Sequence, residues 1–148
     1  MPDVSAGAPP EPHDWQLQVD ARDAHTLADF WIQALGYQLE DNTGFIEGLL
    51  AQGAAPEEMT YRRPDGVLSW KGFEAIRGAG RRILFHTVPE EKTVKNRWHI
   101  DINVGKDRLH AEAARLVALE ATLVREIEDP GGHWIAMLDP EGNEFDIQ

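Results

Sequence analysis

The 148-residue sequence contains no cysteine, which excludes disulfides, thiolate metal sites and a cysteine nucleophile. Basic residues are few: 14 lysines and arginines stand against 26 aspartates and glutamates, for a net charge of −12. Nucleic acids and anionic membranes need basic patches, so we expect neither as a partner. A neutral or cationic small molecule is compatible with this charge. The lack of cysteine also fits a reducing cytoplasm, which is the compartment we expect.

Long hydrophobic runs are absent as well, since no apolar stretch approaches the ~20 residues of a membrane helix. The N-terminus has no basic region followed by an apolar segment, so we expect no signal peptide. Residues 1–14 are rich in proline, alanine, glycine and acid and have no periodicity. They predict a disordered tail ahead of one domain over residues 15–148.

A near-repeat organises the rest of the chain. Trp15–Asp20 reads Trp-Gln-Leu-Gln-Val-Asp, and Trp98–Asn103 reads Trp-His-Ile-Asp-Ile-Asn. Both alternate apolar and polar residues, as strands do, and each precedes an amphipathic helix. This pattern predicts an α+β fold of two tandem βαβββ modules that form a curved mixed sheet around a shared cavity. The first module would span 15–88, the connector 89–97 and the second module 98–148.

Helix boundary signals support this order. Asp23 is placed to cap a helix that runs to about Leu35, where Gly36 supplies a left-handed stop. In the second half, Asp107 is placed to cap a helix that runs to about Glu120. The stretch between the first helix and the strand near residue 83 has no comparably clear pattern.

The polar faces of the strands indicate where chemistry could occur. Apolar residues of a sheet face its covering helices, so the alternating polar residues face the opposite, concave side. The first and last strands of each half would then aim Gln16, His86, His99 and Asp146 into one cavity. Two imidazoles, a carboxylate and an amide oxygen form a plausible ligand set for a divalent metal such as zinc, nickel, iron or cobalt.

The second half resembles the vicinal oxygen chelate superfamily, which includes glyoxalase I, extradiol dioxygenases and bleomycin-resistance proteins. The resemblance rests on the segment Trp98–Val104, on the helix after it, and on Asp139-Pro-Glu-Gly-Asn-Glu-Phe-Asp146. It covers most of residues 15–148. The segment from Pro89 to Asn103 is similar to the glyoxalase-like branch of this superfamily.

The resemblance implies metal ligands on the first and last strands of each half. The residues at these positions are Gln16, His86, His99 and Asp146. The first position leaves Asp14 and Gln18 open as alternatives, because a strand can slip in register. His86 and Asp146 stand where glyoxalase I has glutamates, so they depart from the glyoxalase I pattern.

The function implied is that of a metal-dependent enzyme of the lyase or isomerase type, acting on a small oxygenated molecule. Asp146 would be catalytic, exchanging between metal ligand and general base. A non-haem iron dioxygenase is an alternative, because His86, His99 and Asp146 supply two histidines and one carboxylate. We also expect a homodimer, because related proteins often pair.

A metal-free protein that binds a small molecule, of the bleomycin-resistance type, is the other alternative. In that case the aromatic residues Trp70, Phe73 and Trp134 would matter more than the histidines. An acidic protein suits a cationic ligand.

Overall fold

The computed structural model describes residues 11–148, where ten strands and three α-helices follow one another in two similar halves. Most of the tail expected over residues 1–14 therefore lies outside the described residues. The first half comprises β1 (Leu17–Ala21), α1 (Ala24–Leu35), β2 (Gln38–Leu39), α2 (Thr43–Ala51), β3 (Thr60–Arg62), β4 (Leu68–Trp70), β5 (Phe73–Arg77) and β6 (Ile83–Thr87). The second half comprises β7 (Asp101–Ile102), α3 (Leu109–Ala118), β8 (Thr122–Asp129), β9 (Gly132–Leu138) and β10 (Glu144–Ile147).

The two halves form matching four-stranded sheets, with strand orders β1-β6-β5-β2 and β7-β10-β9-β8. In each sheet the first strand pairs in parallel with the last, and the other pairs are antiparallel. The first half differs by an insertion between β2 and β5, which holds α2, a 3-10 turn and the small sheet β3-β4. These features confirm the α+β class and the tandem modules.

Helix α1 begins and ends where its sequence signals predict. The Asp23 carboxylate accepts hydrogen bonds from the backbone N–H groups of His25 and Thr26, at 3.1 and 3.2 Å. Gly36 ends the helix in the left-handed conformation, with φ of 67°. That conformation favours glycine, because a Cβ would strain it.

The cap predicted for α3 is wrong. Lys106–Arg108 form a 3-10 turn that leads into the helix, so Asp107 lies inside this turn. Arg108 occupies the N-cap position and makes no side-chain capping bond. The helix ends at Ala118, two residues before the predicted Glu120.

One continuous core joins the two halves. Trp31 of α1 packs edge-on against Phe145 of β10, with ring centroids 5.1 Å apart, although the two residues belong to different halves. The Trp31 indole also donates a hydrogen bond to the buried Asp139 carboxylate, at 3.1 Å. The Asp-Pro-Glu-Gly turn therefore supports the junction between the modules. In the described part of the chain, no helix is long and apolar enough to cross a membrane.

The strands near the two repeated tryptophans are shorter than predicted. Strand β1 starts at Leu17 and β7 covers only Asp101–Ile102, although backbone bonds from β10 extend its pairing to Ile100 and Val104. Trp15 and Trp98 are 60% and 87% exposed, so neither is a core residue. Strand alternation predicts that Trp98 faces the covering helix, and its 87% exposure shows that this prediction is wrong.

Candidate functional site

His99, Asp101 and Asp146 form a cluster on one face of the second sheet. Asp101 and Asp146 are register partners in the parallel pair β7-β10. His99 precedes Asp101 by two residues, so alternation along the strand directs it to the same face. The His99 Nε2 atom lies 3.4 Å from Asp101 Oδ1 and 3.6 Å from Asp146 Oδ2. Both separations are longer than ordinary hydrogen bonds.

Asp146 has the least exposed side chain of the three. Burial is the main cause that raises the pKa of its carboxyl above the usual value. The neighbouring Asp101 carboxylate raises this pKa further, while His99 and Lys95 lower it. A carboxylate with a raised pKa accepts a proton more readily, which suits a general base.

The donor set fits a divalent cation. Its three ligand atoms all lie within 4.8 Å of one another. At the usual bond lengths of about 2.0–2.2 Å, neighbouring ligands of one ion lie about 3–3.5 Å apart. The spacings of 3.4 and 3.6 Å from His99 are close to that range. Two carboxylates and an imidazole are chemically suitable for first-row divalent ions.

The Gln16 side chain forms its hydrogen bond outside the cluster of His99, Asp101 and Asp146. Its Oε1 atom accepts a hydrogen bond of 2.6 Å from the Arg82 guanidinium, ahead of the start of β1. The strand register gives the counterpart of His99 in the first half. His86 pairs with Asp20 as Asp146 pairs with Asp101. The residue two before Asp20 is Gln18, which is one of the alternatives left open for the first position.

His86 occupies the position in β6 that Asp146 occupies in β10. Its imidazole stacks on the Phe73 ring, with centroids 4.3 Å apart and planes 9° from parallel. Among residues 11–148, His86 does not join His99 and Asp146 in a set of ligand atoms within 4.8 Å. The three-residue iron triad considered for an oxygenase is therefore not assembled in the described chain.

Sequence comparison identifies the fold family. Residues 16–148 match the family described as glyoxalase-like domain, which is nearly the whole described chain. The protein belongs to the glyoxalase-like domain family. This membership and the fold also place it in the vicinal oxygen chelate superfamily.

Solved structures share the fold of this glyoxalase-like protein at low sequence identity. An enzyme of the glyoxalase/bleomycin resistance protein/dioxygenase family from Burkholderia phytofirmans is 17% identical, with a TM-score of 0.61, over 89% of this chain and 94% of its own. Lactoylglutathione lyase from Agrobacterium tumefaciens is 13% identical, with a TM-score of 0.55, over 93% of both chains.

The fosfomycin resistance protein FosX from Listeria monocytogenes, in complex with Mn(II) and a dihydroxypropylphosphonic acid, is also similar. It is 12% identical, with a TM-score of 0.60, over 90% of this chain and 86% of its own. No functionally curated protein matches the sequence significantly. At these identities the likeness shows the fold.

A groove of about 550 Å³ lies where the two halves of the glyoxalase-like chain meet. It runs between the end of β1, the connector after β6 and the turn before β10. Glu141 is among its lining residues, and the Glu141 carboxylate accepts hydrogen bonds from the backbone N–H groups of Arg22 and Asp23, at 2.5 and 3.1 Å. This volume falls within the roughly 300–1,000 Å³ of small-molecule sites, but the lining is mostly charged and polar, whereas such sites are mostly apolar. The lining residues include Asp20, Arg22, Pro89, Lys92, Asn96 and Asn143.

Sequence reasoning missed Asp101 as a member of the site. Alternation over Trp98–Asn103 predicts that Asp101 shares a strand face with His99, but the ligand set predicted from the sequence does not include Asp101. The signal was the two-residue spacing, which directs both side chains to one side of a strand. The partnership with Asp146 became evident only from the pairing of β7 with β10.

Proposed function

We propose that this glyoxalase-like protein binds a divalent metal through His99, Asp101 and Asp146, and that it is an enzyme of the lyase or isomerase type. Its substrate would be a small oxygenated molecule. One observation carries the proposal: an imidazole and two carboxylates converge at ligand spacing without hydrogen-bonding to one another. When bound, the metal would supply Lewis-acid polarisation of neighbouring substrate oxygens.

Asp146 has the properties required of the proton-transfer group. Burial raises the pKa of this carboxyl when no metal is bound, and by exchanging between metal ligand and general base the Asp146 carboxylate would become free to accept a proton. The carboxylate would take a proton from a carbon next to a substrate carbonyl and return it to a neighbouring atom. His99 and Asp101 would hold the metal and orient the substrate oxygens beside Asp146.

The two carboxylates of the proposed ligand set admit more metals than imidazole ligands alone. Imidazole suits zinc, nickel, iron and cobalt, whereas two carboxylates add manganese to this group. The FosX structure, which contains Mn(II), supports the inclusion of manganese. Manganese is also the most useful probe, because its electron paramagnetic resonance signal distinguishes free from protein-bound ion.

The test is Mn(II) binding by protein without a histidine tag. We expect wild type to bind one ion per chain, and His99→Ala to lose that ion while its circular dichroism stays unchanged. The control is His13→Ala, which removes an exposed histidine outside the strands. Equal Mn(II) content in wild type and His99→Ala, or none in wild type, would remove the metal from the proposal.

Proton transfer can be tested without knowing the substrate. Metal-loaded protein is incubated in D₂O with a panel of small hydroxy- and oxo-carbonyl compounds, and deuterium incorporation is followed by NMR. We expect incorporation next to a carbonyl, with a drop of roughly 100-fold or more in Asp146→Asn, the range for losing a general base. Rates that survive in Asp146→Asn would assign the proton transfer to another group.

A metal-free binding protein is the second candidate, and the groove between the halves favours it. Separately from the groove lining, the exposed Phe73 ring stacks on His86 and offers an aromatic surface of the kind that small ligands contact. In this case a small cationic or neutral ligand would raise the melting temperature in the presence of a chelator, and His99→Ala would respond as wild type does. The homodimer expected from the resemblance belongs to both candidates, and sedimentation would test it.

A further inference from the structure

A second convergent cluster lies away from the proposed active site. His110 of α3, Glu126 of β8 and His133 of β9 meet at one carboxylate oxygen. Glu126 Oε1 is 2.8 Å from His110 Nε2 and 2.5 Å from His133 Nε2. The two imidazole rings have centroids 5.9 Å apart and planes inclined by 60°.

Strand register places this cluster on the helix-covered face of the second sheet. Glu126 pairs with Ile135, which is buried under α3, and His133 lies two residues before Ile135. Asp146 pairs instead with Ala136, the next residue of β9. Neighbouring strand residues face opposite sides, so the two clusters lie on opposite faces of the same sheet.

We propose that His110, Glu126 and His133 form a second metal site, selective for zinc-like divalent ions and independent of the site at His99. Three ligands of two suitable types, imidazole and carboxylate, converge from three separate elements, and their ligand atoms all lie within 4.8 Å of one another. Two imidazoles favour zinc, nickel, copper or cobalt over magnesium and calcium, which prefer oxygen ligands. A bound ion would tie the first turn of α3 to the β8-β9 hairpin.

The local structure can accommodate the ion. Ligand atoms of one ion lie about 3–3.5 Å apart, so the separation of Glu126 Oε1 from His110 Nε2 must widen by about 0.2–0.7 Å, and that from His133 Nε2 by about 0.5–1 Å. His110 is 69% exposed in the first turn of α3 and Glu126 is 41% exposed, so rotation of these two side chains can provide the movement. His133 is only 15% exposed and supplies the more rigid anchor. The open side at His110 leaves room for water as a further ligand.

The test uses tag-free His99→Ala protein, in which the proposed active site cannot contribute a histidine. Isothermal titration with zinc should give one ion per chain, and zinc should raise the melting temperature. Adding His110→Ala and His133→Ala should abolish both effects, while adding His13→Ala should leave both unchanged. Magnesium should produce neither effect in any of these proteins.

A conservative variant covers the case in which the multiple variant folds poorly. Glu126→Gln keeps an oxygen acceptor for both imidazoles but removes the charge, so it should weaken zinc affinity by at least tenfold with an unchanged circular dichroism spectrum. Equal zinc affinity in His99→Ala with and without Glu126→Gln would overturn the site. Absence of zinc binding in His99→Ala would do the same. Neither result bears on Mn(II) binding by wild type, so failure here is distinct from failure of the proposed function.

Discussion

At the scale of single residues, the Glu40 carboxylate accepts hydrogen bonds from two arginine side chains. Arg82 approaches it with two nitrogens, at 2.9 and 3.0 Å, and Arg77 Nε lies 2.6 Å away. The Arg82 hydrogen bonds are the main cause that lowers the pKa of Glu40 from 4.5 to about 2. Arg82 also holds Gln16, so one guanidinium connects the start of β6 with the segments before β1 and after β2.

This arrangement predicts a pH-dependent contribution to stability. A carboxyl whose pKa is lowered by folding stabilises the protein fully above its unfolded value of 4.5, and the contribution is lost as pH falls through about 2. Because the pair is partly exposed, we expect Glu40→Gln to lower the free energy of unfolding by about 1–3 kcal/mol at pH 7. Urea unfolding should show the difference from wild type shrinking between pH 5 and pH 3.

The control for this prediction is Glu58→Gln, which changes an exposed glutamate in the 3-10 turn before β3. It should leave the free energy of unfolding within about 0.5 kcal/mol of wild type. A Glu40→Gln protein whose deficit stays constant from pH 7 to pH 3 would show that packing, and not charge, is responsible.

At the scale of elements, the connection between β5 and β6 depends on close contact with Tyr37. This tyrosine follows the left-handed Gly36, and its ring lies against the backbone of Gly78 and Gly80. A Cβ atom added at either glycine would overlap the Tyr37 side chain. The two glycines of this connection therefore make room for the Tyr37 side chain.

We predict opposite effects of alanine at two glycines. Gly78→Ala should lower the free energy of unfolding by about 1–3 kcal/mol, because the ring of Tyr37 has to shift. Gly48→Ala in α2 should raise it by about 0.5–1 kcal/mol, because a Cβ there meets nothing within 4 Å and glycine is unfavourable inside a helix. Chemical denaturation of both variants checks the signs. Stabilisation by Gly78→Ala would contradict the contact.

At the scale of the whole molecule, the two halves are joined by a polar contact inside their common core. Asp139 accepts hydrogen bonds from the Trp31 indole, at 3.1 Å, and from the backbone N–H groups of Glu141 and Asn143, both at 2.9 Å. Glu141 in turn accepts from the backbone at the start of α1. The turn before β10 thus binds the first helix, so neither half has a separate core.

The shared core predicts a single unfolding transition. Near- and far-ultraviolet circular dichroism should give coincident denaturation curves for wild type. Trp31→Phe keeps an aromatic ring in the core but leaves Asp139 without the indole donor, and it should cost about 1–3 kcal/mol without separating the curves. Trp98→Phe, at an exposed position, should change neither the free energy of unfolding nor the coincidence of the two curves. Two resolved transitions in wild type would mean that the halves unfold independently.

Local patterns in the sequence were enough for several features. Alternation along strands, the Asp23 cap and the Gly36 stop predict the strand-helix units, because each depends on residues that are neighbours in the chain. The same alternation directs His99 and Asp101 to one side. The segment Trp98–Val104, the helix after it and the segment Asp139–Asp146 carried the resemblance to the superfamily, since these motifs are continuous in sequence.

Only the tertiary structure decided which distant residues meet. The pairing of β1 with β6 made Gln18 the counterpart of His99, while Arg82 engaged Gln16. Register between separate strands is set by hydrogen bonds and packing over the whole sheet, and a local pattern does not contain it. The cluster of His110, Glu126 and His133 arises for the same reason: a helix and two strands bring its members together across up to 23 residues of chain.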